Sequence, residues 1–183
     1  SSLQVGTPSL EDTDSGPDPQ TDVNGHGGTG PERDTRPRTR AILAETPTER
    51  LEAELTGLVH RLHSGTYELL VLIGELDARG SWVTWGALSC AAWLADLCDI
   101  QVGTARTQVR VAHALRAWPA LDAAMANGSI SYSKARTLAA YVSGDSVEVT
   151  EDDVEALLEI ARTTPAGRLG AAIAAWSMRH EDQ

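Results

Sequence analysis

The sequence predicts an all-α protein, and three observations carry that expectation. Hydrophobic residues make up 42% of the chain with alanine foremost, five tryptophans and no phenylalanine, whereas a sheet draws on more Val, Ile, Thr, Tyr and Phe. From Thr46 onward the apolar residues recur at helical spacing. Pro47, Gly80, Pro119, Gly128 and Pro165 then punctuate the periodic runs, as helix starts and stops do. With 183 residues, one ordinary domain plus a tail is expected. The architecture predicted is a multi-helix bundle containing helix-turn-helix-like units, behind a disordered N-terminal tail.

The tail, residues 1–45, is read as disordered and acidic. As far as about Arg40 it is Gly, Pro, Ser, Thr, Asp and Asn with hardly a bulky apolar residue, too little to offset its chain entropy. Arg33, Arg36, Arg38 and Arg40 close it in "PERDTRPRTR", which suits a small basic arm for nucleic acid. The plainer reading is a solvated linker, since Glu32 and Asp34 are interleaved.

The helical domain is expected over 46–180. "TPTERLEAELTGLVHRLH" opens with Thr46 as cap, Pro47 at the first helical position and Glu49 three residues after the Thr. Its apolar residues are Leu51, Leu55, Leu58, Val59 and Leu62. A second helix, "TYELLVLIGELDARG", is apolar on a wide face and should lie deep, stopping at Gly80. His60 and His63 are three apart, but without a Cys or acidic partner in a ligand pattern they read as a solvated face rather than a metal site. A third helix is predicted over "LSCAAWLADLC". A fourth, "ARTQVRVAHALRAW", is closed by Pro119.

The third and fourth helices have the layout of a helix-turn-helix. A helix bearing Ala91, Trp93 and Leu94 leads through Asp99 and Ile100 to a second, whose cap region is Gln101 to Thr104. There Ala105, Val109, Ala112 and Leu115 should dock on the core, while Arg106, Arg110 and His113 share a neighbouring stripe. A reading helix needs this separation, with one side fixed to the scaffold and the other offering long donors to phosphates and base edges.

A second such unit follows. "ALDAAMANG" reads as a short helix ended by Gly128, and "SISYSKARTLAAYV" as the next, with Ile130 before a Ser131 or Ser133 cap. Ala135, Leu138, Ala139 and Val142 should face inward, leaving Ser133, Lys134, Arg136 and Thr137 outward. Small hydroxyls and free amides at a helix start suit a phosphate oxygen. In the next helix Thr150 should cap, with Glu151, Asp152 and Asp153 stabilised at the positive end of the dipole. Three acids there read as capping and solubility rather than a catalytic pair. A last helix begins after Pro165, with Trp176 as its core anchor.

The formal net charge is -11, yet it is unevenly placed. Between Ile100 and Val142 stand Arg106, Arg110, Arg116, Lys134 and Arg136 against the single acid Asp122, a local +4, whereas 143–163 holds seven acids against Arg162. The two cysteines, Cys90 and Cys98, are eight apart on one helix, about 12 Å, too far for a disulfide. Neither a disulfide framework nor a zinc ribbon is available. No run approaches the length of a membrane span and no signal peptide is visible, so a cytoplasmic protein is expected.

The runs "LLVLIGELDARGSW", "AAWLADLCDIQVGTARTQVRVAHALRAWPALDAAMANGSISYSKARTLAAYV" and "TEDDVEALLEIARTTPAGRLGAAIAAW" resemble the DUF222 family, also called the 13E12 repeat family of mycobacteria and other actinobacteria. The resemblance covers about Thr46 to Trp176. Most specific are "WL" followed by "GTARTQVRVAHAL", the Trp118-Pro119 step and "GSISYSKARTL". It implies a helical DNA-associated domain, usually followed in that family by a C-terminal HNH endonuclease module. Where relatives often have Gly then Ser in the turn before the "GTAR" segment, this chain has Asp99 and Gln101. An HNH site needs a His to activate water and further ligands for a divalent metal, and after Trp176 only His180 could contribute. A fragment of a longer protein, or a member without the nuclease, is therefore expected.

The function expected is binding of double-stranded DNA as a targeting or regulatory module. Arg106, Arg110, Lys134 and Arg136 are the main contact candidates, with Gln101, Thr104, Thr107, Ser131 and Ser133 as polar helpers. No catalysis, metal or cofactor is expected of this chain by itself; the long first helices, wide and apolar, could also form a homodimer, which would let two reading helices meet two half-sites. The rival readings are an acidic helical protein-interaction module, whose arginines cover core edges with their stems, and the targeting part of a full-length HNH endonuclease.

Overall fold

A computed structural model describes residues 40–144 and 149–181, and from Ala41 on these belong to one unit. Every regular element among them is helical. The expectation of a disordered tail, and the arm residues Arg33, Arg36 and Arg38, lie through residue 39 outside the described residues. The last part of that stretch differs from the expectation: α1, Arg40–Ala44, is a short helix, and Thr46 Oγ1 donates to Ile42 O at 2.8 Å behind it.

The two helices expected next are one. α2 runs Thr48–Ala78 without interruption, because Gly65 by itself costs a helix only about 1 kcal/mol, well below what its flanking leucine-rich turns recover. Pro47, not Thr46, occupies the N-cap. The stop is where Gly80 places it: its φ is +62°, and its N–H bonds Asp77 O at 2.9 Å. A 3-10 turn, Ser81–Trp85, leads to α3, Cys90–Cys98, whose first turn is capped by Ser89 Oγ accepting from Ala92 N at 3.1 Å.

α4, Val102–Ala117, is the central helix. It packs on α2, on α3, on α5 (Pro119–Ala126) and on α6 (Tyr132–Val142). One side of it, Ala105 and Ala112, closes a small core with Ile73 of α2 and Cys90, Ala91, Leu94 and Ala95 of α3. The other, Val111, Ala114 and Leu115, enters the larger core. Alanines at the first contact let the helices approach closely, and one helix thereby joins two cores.

The larger core is filled by α5, α6, α7 (Glu151–Thr163) and α8 (Ala166–Glu181). Leu121, Leu157 and Leu169 are fully buried there, each contributing about 1.5–3 kcal/mol of transfer free energy. The α5–α6 turn is set locally: Gly128 takes φ +74°, Ser129 N–H donates to Asn127 Oδ1 at 2.9 Å, and the buried Ile130 pins the exit. α7 starts with a full capping box between Thr150 and Asp153. On α8 the anchors are Leu169 and Ile173. Trp176, expected as the anchor, is half-buried at the edge, T-shaped to Tyr141 and stacked on His180.

The long α2 is only partly inside. Leu70, Ile73 and Gly74 are buried, whereas Leu55, Leu58 and Leu62 are 61%, 46% and 59% exposed, and in the stretch expected to lie deep Val71 and Leu72 are exposed as well. The bundle reaches the C-terminal half of the helix and stops. No helix among the described residues is long and apolar enough to cross a membrane.

Candidate nucleic-acid interface

α3 and α4, expected to form a helix-turn-helix, are joined by a short turn. Three residues, Asp99 to Gln101, separate the helices. Asp99 takes the left-handed conformation at φ +52°, which short polar side chains tolerate better than most. Ile100 N–H then bonds Ala95 O at 3.0 Å, satisfying a carbonyl of the helix end. Gln101 stands at the N-cap of α4 with no side-chain capping bond. The first-turn amides of α4, carried by Val102, Gly103 and Thr104, therefore face out with small side chains around them.

Arg106 and Arg110 are exposed on the outward stripe of α4, opposite the buried Val111 and Leu115. Neither forms an ion pair among the described residues. Thr104 and Gln101 are exposed as well. Thr107 is half-buried and its hydroxyl donates back to Gly103 O at 3.0 Å, so it is not presented to a ligand. Farther along α4 the polar side chains are engaged by α2. His113 Nε2 lies 2.5 Å from Asp77 Oδ2, and Arg116 Nη1 lies 2.9 Å from Glu75 Oε2. The cationic stripe thus ends after about one turn beyond Arg106.

α6 presents fewer cations than its sequence promises. Ser131 is at the N-cap but makes no side-chain capping bond. Ser133 and Arg136 are exposed, and Thr137 donates to Ser133 O at 3.1 Å. Lys134 is half-buried, and its Nζ donates to Ala161 O of α7 at 2.6 Å. A helix C-terminus carries partial negative charge and free carbonyls, so this lysine is spent inside the fold. Arg136 stays outside, near enough to Tyr132 to oppose the upward shift that burial gives that phenol.

Because α4 packs directly on α6, Arg106, Arg110 and Arg136 stand on neighbouring helices. Acids flank the set on both sides: Asp96 and Asp99 are exposed on α3 and in the turn before α4, Glu151, Asp152, Glu155 and Glu159 are exposed on α7, which packs on α6, and a surface cavity between α5 and α7 is lined by Asp152, Glu155, Glu159 and Arg162.

One cluster escaped the sequence reading. The Asp77 carboxylate accepts from Trp82 Nε1 at 2.9 Å, meets His113 at the distance given above, and hydrogen-bonds the Cys90 thiol. Burial first, then the Asp77 charge, pushes that thiol up to about 11. Such a thiol is a poor nucleophile at neutral pH, so the cluster ties α2, the 3-10 turn, α3 and α4 together instead. Its members are scattered over four elements with no shared spacing, and no sequence signal joins them. Among the described residues no group of three or more His, Cys, Asp or Glu is placed to hold a metal ion. His60 and His63 are exposed on α2.

No curated protein and no solved structure matches the chain. Residues 38–174 match the family model described as "Domain of unknown function (DUF222)". That stretch takes in every helix from α2 to α7 and the buried anchors of α8, so the chain belongs to the DUF222 family.

Proposed function

We propose that this domain binds double-stranded DNA, with α4 as the principal reading helix and α6 beside it. The observation that carries the reading is the pair Arg106 and Arg110. They are exposed, one turn apart, unpaired among the described residues, and mounted on α4, which follows α3 after a three-residue turn and whose inner face is fixed in two cores. Arg136 extends the set on α6, and Gln101, Thr104 and Ser133 are exposed at the two helix starts. Lys134 and Thr107 drop out, because both donors are engaged within the protein.

The surplus of acid does not oppose this. At physiological ionic strength the screening length is about 8 Å, so the charges nearest a bound phosphate outweigh the net charge of the whole chain. Targeting of a nuclease carried elsewhere in a longer protein is compatible with the same face, since positioning on DNA and cutting it are separable tasks.

Each phosphate neutralised contributes about 0.9 to the slope of log affinity against log salt. Three arginines therefore account for a slope of about 2.7, or roughly a 40-fold loss of affinity between 50 and 200 mM salt. The test is a duplex titration at several salt concentrations with the full chain and with R106Q/R110Q/R136Q. The expected result is binding that weakens with salt and a slope flattened by about that amount in the variant. Absence of binding by the parent chain at low salt removes the reading.

A further inference from the structure

We propose that α2 carries a coiled-coil seam through which two copies of this chain dimerise. The proposal stands independently of the nucleic-acid reading. Along α2 the spacing 4, 3, 4, 3 runs unbroken from Leu51 to Leu76. In heptad terms Leu55, Leu62, Leu69 and Leu76 are the a positions. The d positions are Leu51, Leu58, Gly65 and Leu72, so every site of the seam but one is leucine.

The bundle does not use this seam. The residues α2 buries, Leu70, Ile73 and Gly74, occupy b, e and f. At a and d none is buried, and Leu55, Leu62 and Leu72 are 61%, 59% and 61% exposed. A monomer seldom leaves so long an apolar stripe in water.

Period and length identify the occupant. Packing inside a globular bundle follows 3.6 residues per turn, and a strict seven-residue repeat drifts about 20° per heptad on a straight helix. A repeat kept over 26 residues suits a second helix of the same period supercoiled around it. The seam is about 38 Å long at 1.5 Å per residue. Among the described residues no other helix exceeds 16 residues, so nothing else in the domain can line it, and a second α2 matches it end to end. Charge permits the pairing. In a parallel, in-register dimer the g residues face e residues of the next heptad, which sets Glu54 against Val59 and Arg61 against Thr66, with no like charges opposed, while Ile73, the next e residue, stays in the bundle core.

Gly65 makes the proposal testable in both directions. It leaves a hole in one d layer, and a Cβ added there meets nothing within 4 Å in the domain itself. Sedimentation of the full chain over a range of concentrations should show a reversible dimer whose Tm rises with concentration. L55E/L62E, at two exposed sites, should be monomeric with its helix content retained. G65L should lower the dimer Kd by about tenfold or more, the equivalent of about 1.4 kcal/mol. V71E, on exposed apolar surface at a c position off the seam, should leave it unchanged. A parent chain that stays monomeric at every concentration, a dimer that survives L55E/L62E, a G65L variant no tighter than the parent, or a V71E variant that dissociates overturns the assignment.

Discussion

Lys134 separates a charge that the fold consumes from a charge offered to a ligand. Its Nζ sits 2.6 Å from Ala161 O in the last turn of α7, and its side chain is half-buried between the helices. A hydrogen bond with a charged partner is worth about 1.5–3 kcal/mol, and the helix C-terminus favours the cation further. Lys134→Met keeps much of the aliphatic stem and removes the ammonium, so the expected loss is about 1.5–3 kcal/mol. For a domain of this size that lowers Tm by roughly 5–12 °C. Thermal and urea unfolding followed by circular dichroism measure the loss. In the same variant the salt slope for duplex DNA should stay at the parental value, whereas R110Q should flatten it by about 0.9 and leave Tm almost unmoved. A Lys134→Met protein with an unchanged Tm and a flatter slope would refute the placement of this side chain and return it to the DNA-facing set.

Two further outcomes follow from individual groups. The Asp153 carboxyl is held below its ordinary value chiefly by hydrogen bonds from the Thr150 hydroxyl and backbone, partly offset by burial and helped by His180. Its folded value is depressed, so the stability it contributes is present above about pH 4 and is lost as pH falls through the lowered value. Thr150→Ala should therefore cost about 0.5–2 kcal/mol at neutral pH and flatten the acid limb of a stability-against-pH curve; an acid limb identical to the parent's would count against the capping box. Cys90 is buried, with its thiol pushed up to about 11, while Cys98 is exposed. A thiol reagent at pH 8 should titrate one group quickly and the second only in denaturant, and rapid reaction of both would contradict the packing of Cys90.

Much of the architecture was written in short-range chemistry. The stop at Gly80, the Ser89 to Asp99 helix, the break at Trp118-Pro119, the Asn127-Gly128 turn and the Thr150 cap each depend on a few neighbouring residues. Local reading erred along α2. The stretch 48–78, expected as two helices, is one, since Gly65 is a small cost against continuous helix on both sides.

The candidate site was legible only in part, for a physical reason. Sequence spacing places Arg106, Arg110, Lys134 and Arg136 on outward stripes of their own helices, because a single helix determines its own faces. It does not say what other helix lies against that stripe. Tertiary packing brought the end of α7 to Lys134, and Glu75 and Asp77 of α2 to Arg116 and His113, while Arg106 and Arg110 kept their exposure. The same limit explains the leucines of α2. Their period is a property of the sequence, whereas the absence of a bundle partner over the helix's N-terminal half exists only once the chain is folded.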